Sequence, residues 1–305
     1  MTDNTPQVAI IILNWNQEAD TLECLASVAR VEYPALSIII VDNGSTSETY
    51  EAIVQWSRQD PRAIVIRMEQ NLGFVGGSNA GIHRALQDNT DYILLLNNDT
   101  VVTPDFISRL VAVAEQADNI GIVGPKVYQY QEERIFDSAG TRAFFWLAQG
   151  MLRAHGELDE GQYDLEEDMP YITGCALLIK RTVIEQIGLM DEDYFNYFDD
   201  LDWSYRTRLA GYRLIYVPKA VIQHKGSQAI GLGSPFYYHH MIRSRILFAR
   251  KHIGWFLFII CFLPYLILYR YLLPVLRFLR HGHWAHLRAL HQGIKEGFTT
   301  HLISR

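Results

Sequence analysis

The stretch YILLLNNDTVVTPDF, Tyr92 to Phe106, decides how the rest of the chain is read. Five apolar or aromatic residues run unbroken into Asn97-Asn98-Asp99-Thr100, and Val101-Val102 follow before Pro104. Such a run is the mark of a strand buried on both faces, as in a sheet covered by helices. Open α/β sheets place their ligands beyond the carboxyl ends of strands. Two amides and a carboxylate at that end are therefore the first candidate site.

Working outward, VAIIILNWN (Val8 to Asn16) and LSIIIVDNGS (Leu36 to Ser45) read as two more buried strands with polar ends, and AIVIRME as a shorter one. EADTLECLASVARV sets Leu22, Leu25, Ala26 and Ala29 at helical spacing, while SETYEAIVQWSRQ and GGSNAGIHRALQ also read as helices. Strands alternating with helices predict right-handed βαβ units and an α/β fold, a Rossmann-like, mostly parallel sheet flanked by helices. Further along, DFISRLVAVAEQA predicts a helix, IGIVGPKVY a strand, and Arg134 to Leu152 a mixed stretch that includes a hairpin. The segment His155 to Pro170 holds seven acids in sixteen residues and reads as a solvated loop. YITGCALLIKRTVIEQIG returns to strand and helix, and YRLIYVPKAVIQH predicts two short strands flanking Pro218.

The net charge of −7 hides an asymmetry. Met241 to Arg305 carries ten Lys or Arg against one acid, Glu296, a net +9 that leaves −16 on the remainder. A basic, apolar tail on an acidic body points to an anionic membrane surface rather than to nucleic acid, because the basic residues alternate with long apolar runs. Cys24, Cys175 and Cys261 offer neither a disulfide framework nor a metal-site spacing. The opening MTDNTPQ is polar and unlike a signal peptide, so the body is expected on the cytoplasmic side.

Four clusters can carry chemistry. Asp99 at a strand end could ligate Mg²⁺ or Mn²⁺, which take oxygen ligands and share them with a diphosphate; a polar turn is the competing reading. Asp42-Asn43-Gly44-Ser45 could accept from a ribose or base, or be a turn. QNLGFVGGSNAG (Gln70 to Gly81) lets backbone approach a ligand, with Asn79 where a helix begins, yet lacks the dinucleotide G-x-G-x-x-G spacing. That absence also excludes a dinucleotide-dependent oxidoreductase. FDDLDWSYR crowds Asp199, Asp200 and Asp202; one could be a general base, while an acidic helix N-terminus stabilised by the macrodipole is the competing reading, above all for Asp199 and Asp202. His224 in IQHKGS is a ligand candidate or a structural histidine.

In this order the motifs ILNWN, VDNGS, NLGFVGGSNAG, LLNNDT, GCALLIKR, FDDLDWSYR and VPKAVIQHKGS resemble family-2 glycosyltransferases across Val8 to Ser227. The nearest subgroup is similar to the rhamnosyltransferases of bacterial surface-polysaccharide assembly. The resemblance implies a GT-A fold and an inverting, metal-dependent enzyme. Asn97-Asn98-Asp99 resembles the family's Asp-x-Asp metal motif, with Asp99 the principal ligand and His224 the second. Asn14, Asp42, Asn43, Asn71, Gly73 and Asn79, with Asn97 and Asn98, match donor-binding positions. Asp199-Asp200 matches a Glu-Asp pair whose Asp is the base. Asp200 is thus the expected base, with Asp199 and Asp202 as alternates. TGCALLIKR resembles the segment that shapes the acceptor pocket, through Thr173, Gly174 and Cys175.

The expected partners are a nucleotide-sugar donor (dTDP-rhamnose or a UDP-sugar), a lipid-linked or other glycan acceptor, a membrane surface and a homo-oligomeric partner. A catalytically silent, membrane-attached sugar-nucleotide-binding or scaffold protein is the alternative. Residues 1–232 are expected to form the catalytic domain and 233–305 a helical membrane-associating region. IGWFLFIICFLPYLILY is seventeen residues without a charge, short of the ~20 a span needs, and Pro264 interrupts it. Amphipathic helices lying in the interface, peripheral or monotopic on the cytoplasmic face of the bacterial inner membrane, fit that pattern.

Overall fold

The computed structural model describes residues 5–132, 134–226, 231 and 233–302. Ser227, the end of the last motif, and Leu232, the expected domain boundary, lie outside them.

The sheet begins with β1 (Val8–Asn14), β2 (Leu36–Asp42), β3 (Ala63–Arg67) and β4 (Tyr92–Asn97). β1 pairs in parallel with β2 and β4, and β2 with β3. Helices α1 (Glu18–Val28), α2 (Ser47–Ser57) and α3 (Gly73–Gln87) make the crossovers. Side chains alternate across each strand. Ile10, Ile12, Ile38, Ile40, Leu94 and Leu96 enter the core on the α1 side, whereas Ile11, Ile39, Val41, Ile93 and Leu95 enter the core on the α3 side. Burial on both faces is why these strands read as continuous apolar runs. The register sets Asn14 opposite Asp42 and Leu13 opposite Asn97, so the polar ends share one edge.

Beyond β4, a short strand β5 (Thr100–Val102) and helix α4 (Phe106–Ala114) lead to β6 (Ile120–Gln129), followed by β7 (Phe136–Ser138). A hairpin of β8 (Thr141–Phe144) and β9 (Gln149–Leu152) follows, as expected from the sequence. β10 (Glu167–Asp168), β11 (Ala176–Lys180), α5 (Arg181–Ile187), α6 (Asp199–Leu209) and β12 (Arg213–His224) complete the body. The strand order is β10-β12-β6-β11-β4-β1-β2-β3, with β11 antiparallel to both its neighbours.

Two expectations are corrected here. Residues 213–224 form one strand rather than two, because β12 absorbs Pro218 in a register shift between Val217 and Val221 against β6. A bulge tolerates the missing proline N–H where regular pairing would not. The acidic 155–170 segment is not wholly solvated. Asp159 is buried and accepts from Lys126 Nζ at 2.7 Å, and β10 within it pairs with β12.

The tail is helical: α7 (Pro235–His252), α8 (Trp255–His281) and α9 (Trp284–Thr299). Ser234 caps α7 by accepting from Tyr237 N at 3.1 Å, with Pro235 in the first turn. Ile242, Ile246, Phe248, Phe262, Leu266 and Leu290 join the same core as the α3 side of the sheet, so the tail is packed onto the body. Instead of breaking at Pro264, α8 runs on for 27 residues. Wider turns with i to i+5 bonding at Phe258–Phe262 and Leu266–Leu272 sit just ahead of Pro264 and Pro274. They relieve the clash each ring would make with the carbonyl four residues before it. By length and composition α8 could cross a membrane, and only 11% of its apolar window is buried.

Candidate active site

Beyond the carboxyl ends of β1, β2 and β4 lies a cavity of about 770 Å³. Asn43, Asn71, Gly73, Asn97, Asn98, Asp99, Thr173, Gly174, Cys175, Asp199, Asp200 and His224 all line it. Positions spread over 182 residues of sequence thus share one space, as a strand-edge site requires.

Strand β5 explains how Asp99 meets His224. β5 pairs antiparallel with the end of β12, setting Thr100 opposite His224, and Lys225 N donates to Asp99 O at 3.0 Å. His224 Nε2 then stands 3.3 Å from Asp99 Oδ1. Its Nδ1 is held by Asp137 Oδ2 at 2.9 Å. Burial works against a charged imidazole here, but the hydrogen bonds to Asp137 and Asp99 outweigh it and raise His224 well above its ordinary value.

A carboxylate facing an imidazole nitrogen whose other nitrogen is anchored by a second carboxylate is a chemically suitable pair of ligands for a divalent cation. Among the described residues no three His, Cys, Asp or Glu side chains gather as a ready metal cage. Two protein ligands would leave most positions of such a cation to oxygens from outside the chain. Asp137 had no ligand-like spacing in the sequence; β7 brings it in through its pairing with β6.

The expected base sits at the start of α6. Tyr197 and Phe198 just before it both adopt left-handed backbone, at φ 64° and 68°. Two consecutive non-glycine residues in that region are strained, and they aim the first turn of α6 into the cavity. Asp200 Oδ2 accepts from Gly174 N at 3.0 Å and Oδ1 from Leu201 N at 2.7 Å. Burial raises Asp200, and these backbone donors partly offset it. Asp199 is pushed up to about 8 by burial and by the charge of Asp200. Both carboxylates are raised together, so the two titrate as a coupled pair that retains a proton to higher pH than ordinary carboxylates do.

Several candidates make structural contacts around the cavity. Asp202 is fully buried on the other side of α6, where Arg206 donates at 2.7 Å and His252 lies at 2.6 Å. Burial alone would raise it, but His252 and Arg206 hold it below the usual carboxylate range. It is a structural ion pair, which corrects its place among the possible bases. Asn79 lies within α3 rather than at its start, because the helix begins at Gly73. Its amide bonds Met190 O, Met190 N and Glu192, so it anchors α3 to the 190–192 segment. Asn14 and Asp42 lie beneath the cavity, joined at 3.0 Å. From there a buried chain runs to the strand end, with Thr21 Oγ1 donating to Asn14 and accepting from Asn98 Nδ2, each at 2.8 Å. Asn43 braces the glycine loop by donating to Asn71 Oδ1 and Gly73 O and accepting from Leu72 N.

Gly73 has a conformational reason to be glycine. Its φ is +75°, and an added Cβ would fall 2.4 Å from Phe195 O. Phe74 N donates to that carbonyl at 2.9 Å, so the glycine loop leans directly on the loop that delivers Asp199 and Asp200.

The tail supplies residues the sequence reading did not assign to the site: Phe236, Tyr237, Met241 and Arg245 from α7, and Arg270 from α8. One signal was available. Arg245 falls on the helix face that buries Ile242, Ile246 and Ala249, an unusual place for a charge.

Comparison with known proteins agrees with this fold. The profile of Glycosyl transferase family 2 matches residues 9–188. An N-acetylglucosaminyl-diphospho-decaprenol L-rhamnosyltransferase of Mycobacterium tuberculosis is 28% identical over 276 residues, 84% of this chain and 87% of that protein. The low-salt glycan biosynthesis hexosyltransferase Agl10 of Haloferax volcanii is 27% identical over 66% of this chain, which spans only 61% of it. The uncharacterized protein y4gI of Sinorhizobium fredii is 30% identical over 75% of this chain, which covers a quarter of its length. Among solved structures, a Pyrobaculum calidifontis mannosyltransferase in complex with GDP-Man and Mn²⁺ superposes with a TM-score of 0.60, covering 99% of this chain and 77% of that one at 18% identity.

Proposed function

The chain belongs to glycosyl transferase family 2, and from that premise we propose that it moves a sugar from a nucleoside-diphosphate donor to a hydroxyl of a lipid-linked glycan, with inversion. Rhamnose from dTDP-rhamnose is the leading donor sugar, a UDP-sugar the next; the Mycobacterium tuberculosis relative, named as a rhamnosyltransferase, supports this order. The observation that carries the proposal is the convergence of Asp99, His224 and Asp200 on one cavity.

Asp99 and His224 would hold a divalent cation, which would balance charge on the departing nucleoside diphosphate. An imidazole in the ligand set suits Mn²⁺ better than Mg²⁺. Asp200, fixed by Gly174 N and Leu201 N, accepts the proton of the acceptor hydroxyl. The acceptor oxygen forms its bond to the anomeric carbon as the bond from that carbon to the diphosphate oxygen breaks. One displacement from the opposite face inverts the centre. Gly174, which binds the base, belongs to the Thr173–Cys175 segment, so the acceptor wall also positions the proton acceptor. The exposed flank of α8, with Trp255, Phe256 and Ile259 more than half exposed, supports a membrane-associated body with the cavity at the cytoplasmic leaflet.

Transfer and donor binding by the full-length protein with dTDP-rhamnose and UDP-sugars, with and without Mn²⁺, test the reading. Asp137→Asn should weaken Mn²⁺-dependent donor binding ~10–100-fold by freeing the His224 ring, and Asp99→Asn should weaken it more. Replacing Asn97 or Asn98 should cost far less than either. A wild-type protein that binds donor with metal but never transfers or hydrolyses it would leave only a silent sugar-nucleotide-binding role.

A further inference from the structure

The cavity has two electrostatic ends. Asp99, Asp137, Asp199 and Asp200 make one acidic; the tail makes the other basic through Arg245 and Arg270. Arg245 is 4% exposed. Its Nη1 donates to Ala148 O and, at 3.3 Å, to Gln149 Oε1, while its Nε has no hydrogen-bond partner among the described residues. Arg270 donates through Nη2 to the same Gln149 oxygen and through Nε to Tyr265 OH at 2.6 Å. Tyr265 OH itself reaches Gln149 Oε1 at 2.5 Å.

One neutral oxygen thus bridges two guanidinium groups, and no carboxylate pairs with either among the described residues. Like charges brought together out of water are costly unless an anion joins them. Burial first, and the neighbouring Arg270 after it, lower Arg245 to about 9. A phosphate, which accepts from several N–H groups at once, is the anion that paired guanidinium forks recognise best.

The surroundings say which phosphate. The Arg245 guanidinium lies 5.1 Å from the ring of Phe198, the residue before Asp199, so the basic end adjoins the start of α6. Arg270 follows Phe262 and Leu266 at i+4 spacing along the inward stripe of α8. Around it on the same helix Ile267, Leu268, Tyr269, Leu272 and Leu273 are 41–60% exposed. An anionic head inside the cavity and an apolar chain outside are what this arrangement accommodates together.

We propose that Arg245 and Arg270 bind the phosphate of a lipid-phosphate-linked acceptor whose hydrocarbon chain leaves the cavity along the exposed flank of α8. The inference rests on the transferase reading and names its acceptor class: a glycan joined to a long-chain alcohol through phosphate. The donor diphosphate belongs at the Asp99–His224 end.

Calorimetric binding of phenoxyundecyl diphosphate to the detergent-solubilised full-length protein tests this without requiring turnover. Phenoxyundecanol and inorganic pyrophosphate are the controls, and Arg270→Gln and Arg245→Lys the variants, each checked by thermal melting. The diphosphate amphiphile should bind at least tenfold more tightly than either control, and either variant should lose most of that margin. UDP with Mn²⁺ should leave the binding in place. Arginine-dependent binding supports the subsite even if no nucleotide sugar is ever transferred, an outcome that would count against the transferase reading alone. The alcohol binding as tightly as the diphosphate, pyrophosphate matching the amphiphile, displacement by UDP with Mn²⁺, or a well-folded Arg270→Gln binding like wild type would each overturn the proposal.

Discussion

Asp200 and Asp202 are two residues apart on one helical turn, yet they do opposite things. Two positions along an α-helix are separated by ~200° around its axis, so one faces the cavity and the other the core. Asp202 meets Arg206 and His252 and is held ionised. Asp200 and its neighbour Asp199 meet backbone N–H groups and each other, and both are raised. A carboxylate made structural by cations lies beside a pair left short of them. What sets the proposed base apart is that no side-chain cation pairs with it among the described residues, a property of the other elements rather than of the helix.

The largest test of this contrast is Asp200→Asn. Removing a positioned base should lower kcat ~10²–10⁴-fold, with melting temperature and donor affinity close to wild type; sugar transfer and donor calorimetry measure the two effects. Asp202→Asn should do the reverse. It leaves Arg206 and His252 facing an amide in a buried site and should cost ~3–5 kcal/mol of stability, read by urea denaturation. Below its own melting transition, the folded variant should still transfer sugar. Because Asp202 is lowered in the folded state, its stabilising contribution is present above its unfolded value and fades as pH falls. The penalty of Asp202→Asn should therefore shrink in acid. A stable but inactive Asp202→Asn would break the comparison.

The sequence exposed one half of this contrast better than the other. Buried strands were legible because burial on both faces leaves an unmistakable apolar run, and their polar ends located the cavity. Asp99 and His224 were expected together as ligands from the resemblance, but the β5–β12 pairing that brings them into contact was not read, since a three-residue strand carries little periodicity. Asp137, Arg245 and Arg270 were missed because contacts between distant segments determine their roles. The same cause hid the Lys126–Asp159 pair inside an acidic stretch and made Asp202 look like its neighbours. Asn79 read as a helix start because the glycines around it obscured where α3 begins. At Pro264 a local rule was overridden, since wider turns let α8 continue.

The smallest effect sharpens the contrast most, through Asp199. Its ordinary value of 3.8 is raised to about 8 by burial and by Asp200. Between those two values the folded protein keeps a proton that the unfolded chain releases, so this group's contribution to stability declines as pH rises through the window. The slope is opposite in sign to that of Asp202. Asparagine cannot ionise, so Asp199→Asn should match wild type near pH 4 and exceed it by about 1–3 kcal/mol at pH 8.5. Thermal or urea unfolding at the two pH values measures the difference. A variant equally destabilised at both pH values would mean that Asp199 has a compensating partner and behaves as Asp202 does, which would leave Asp200 as the turn's one carboxylate short of a cation.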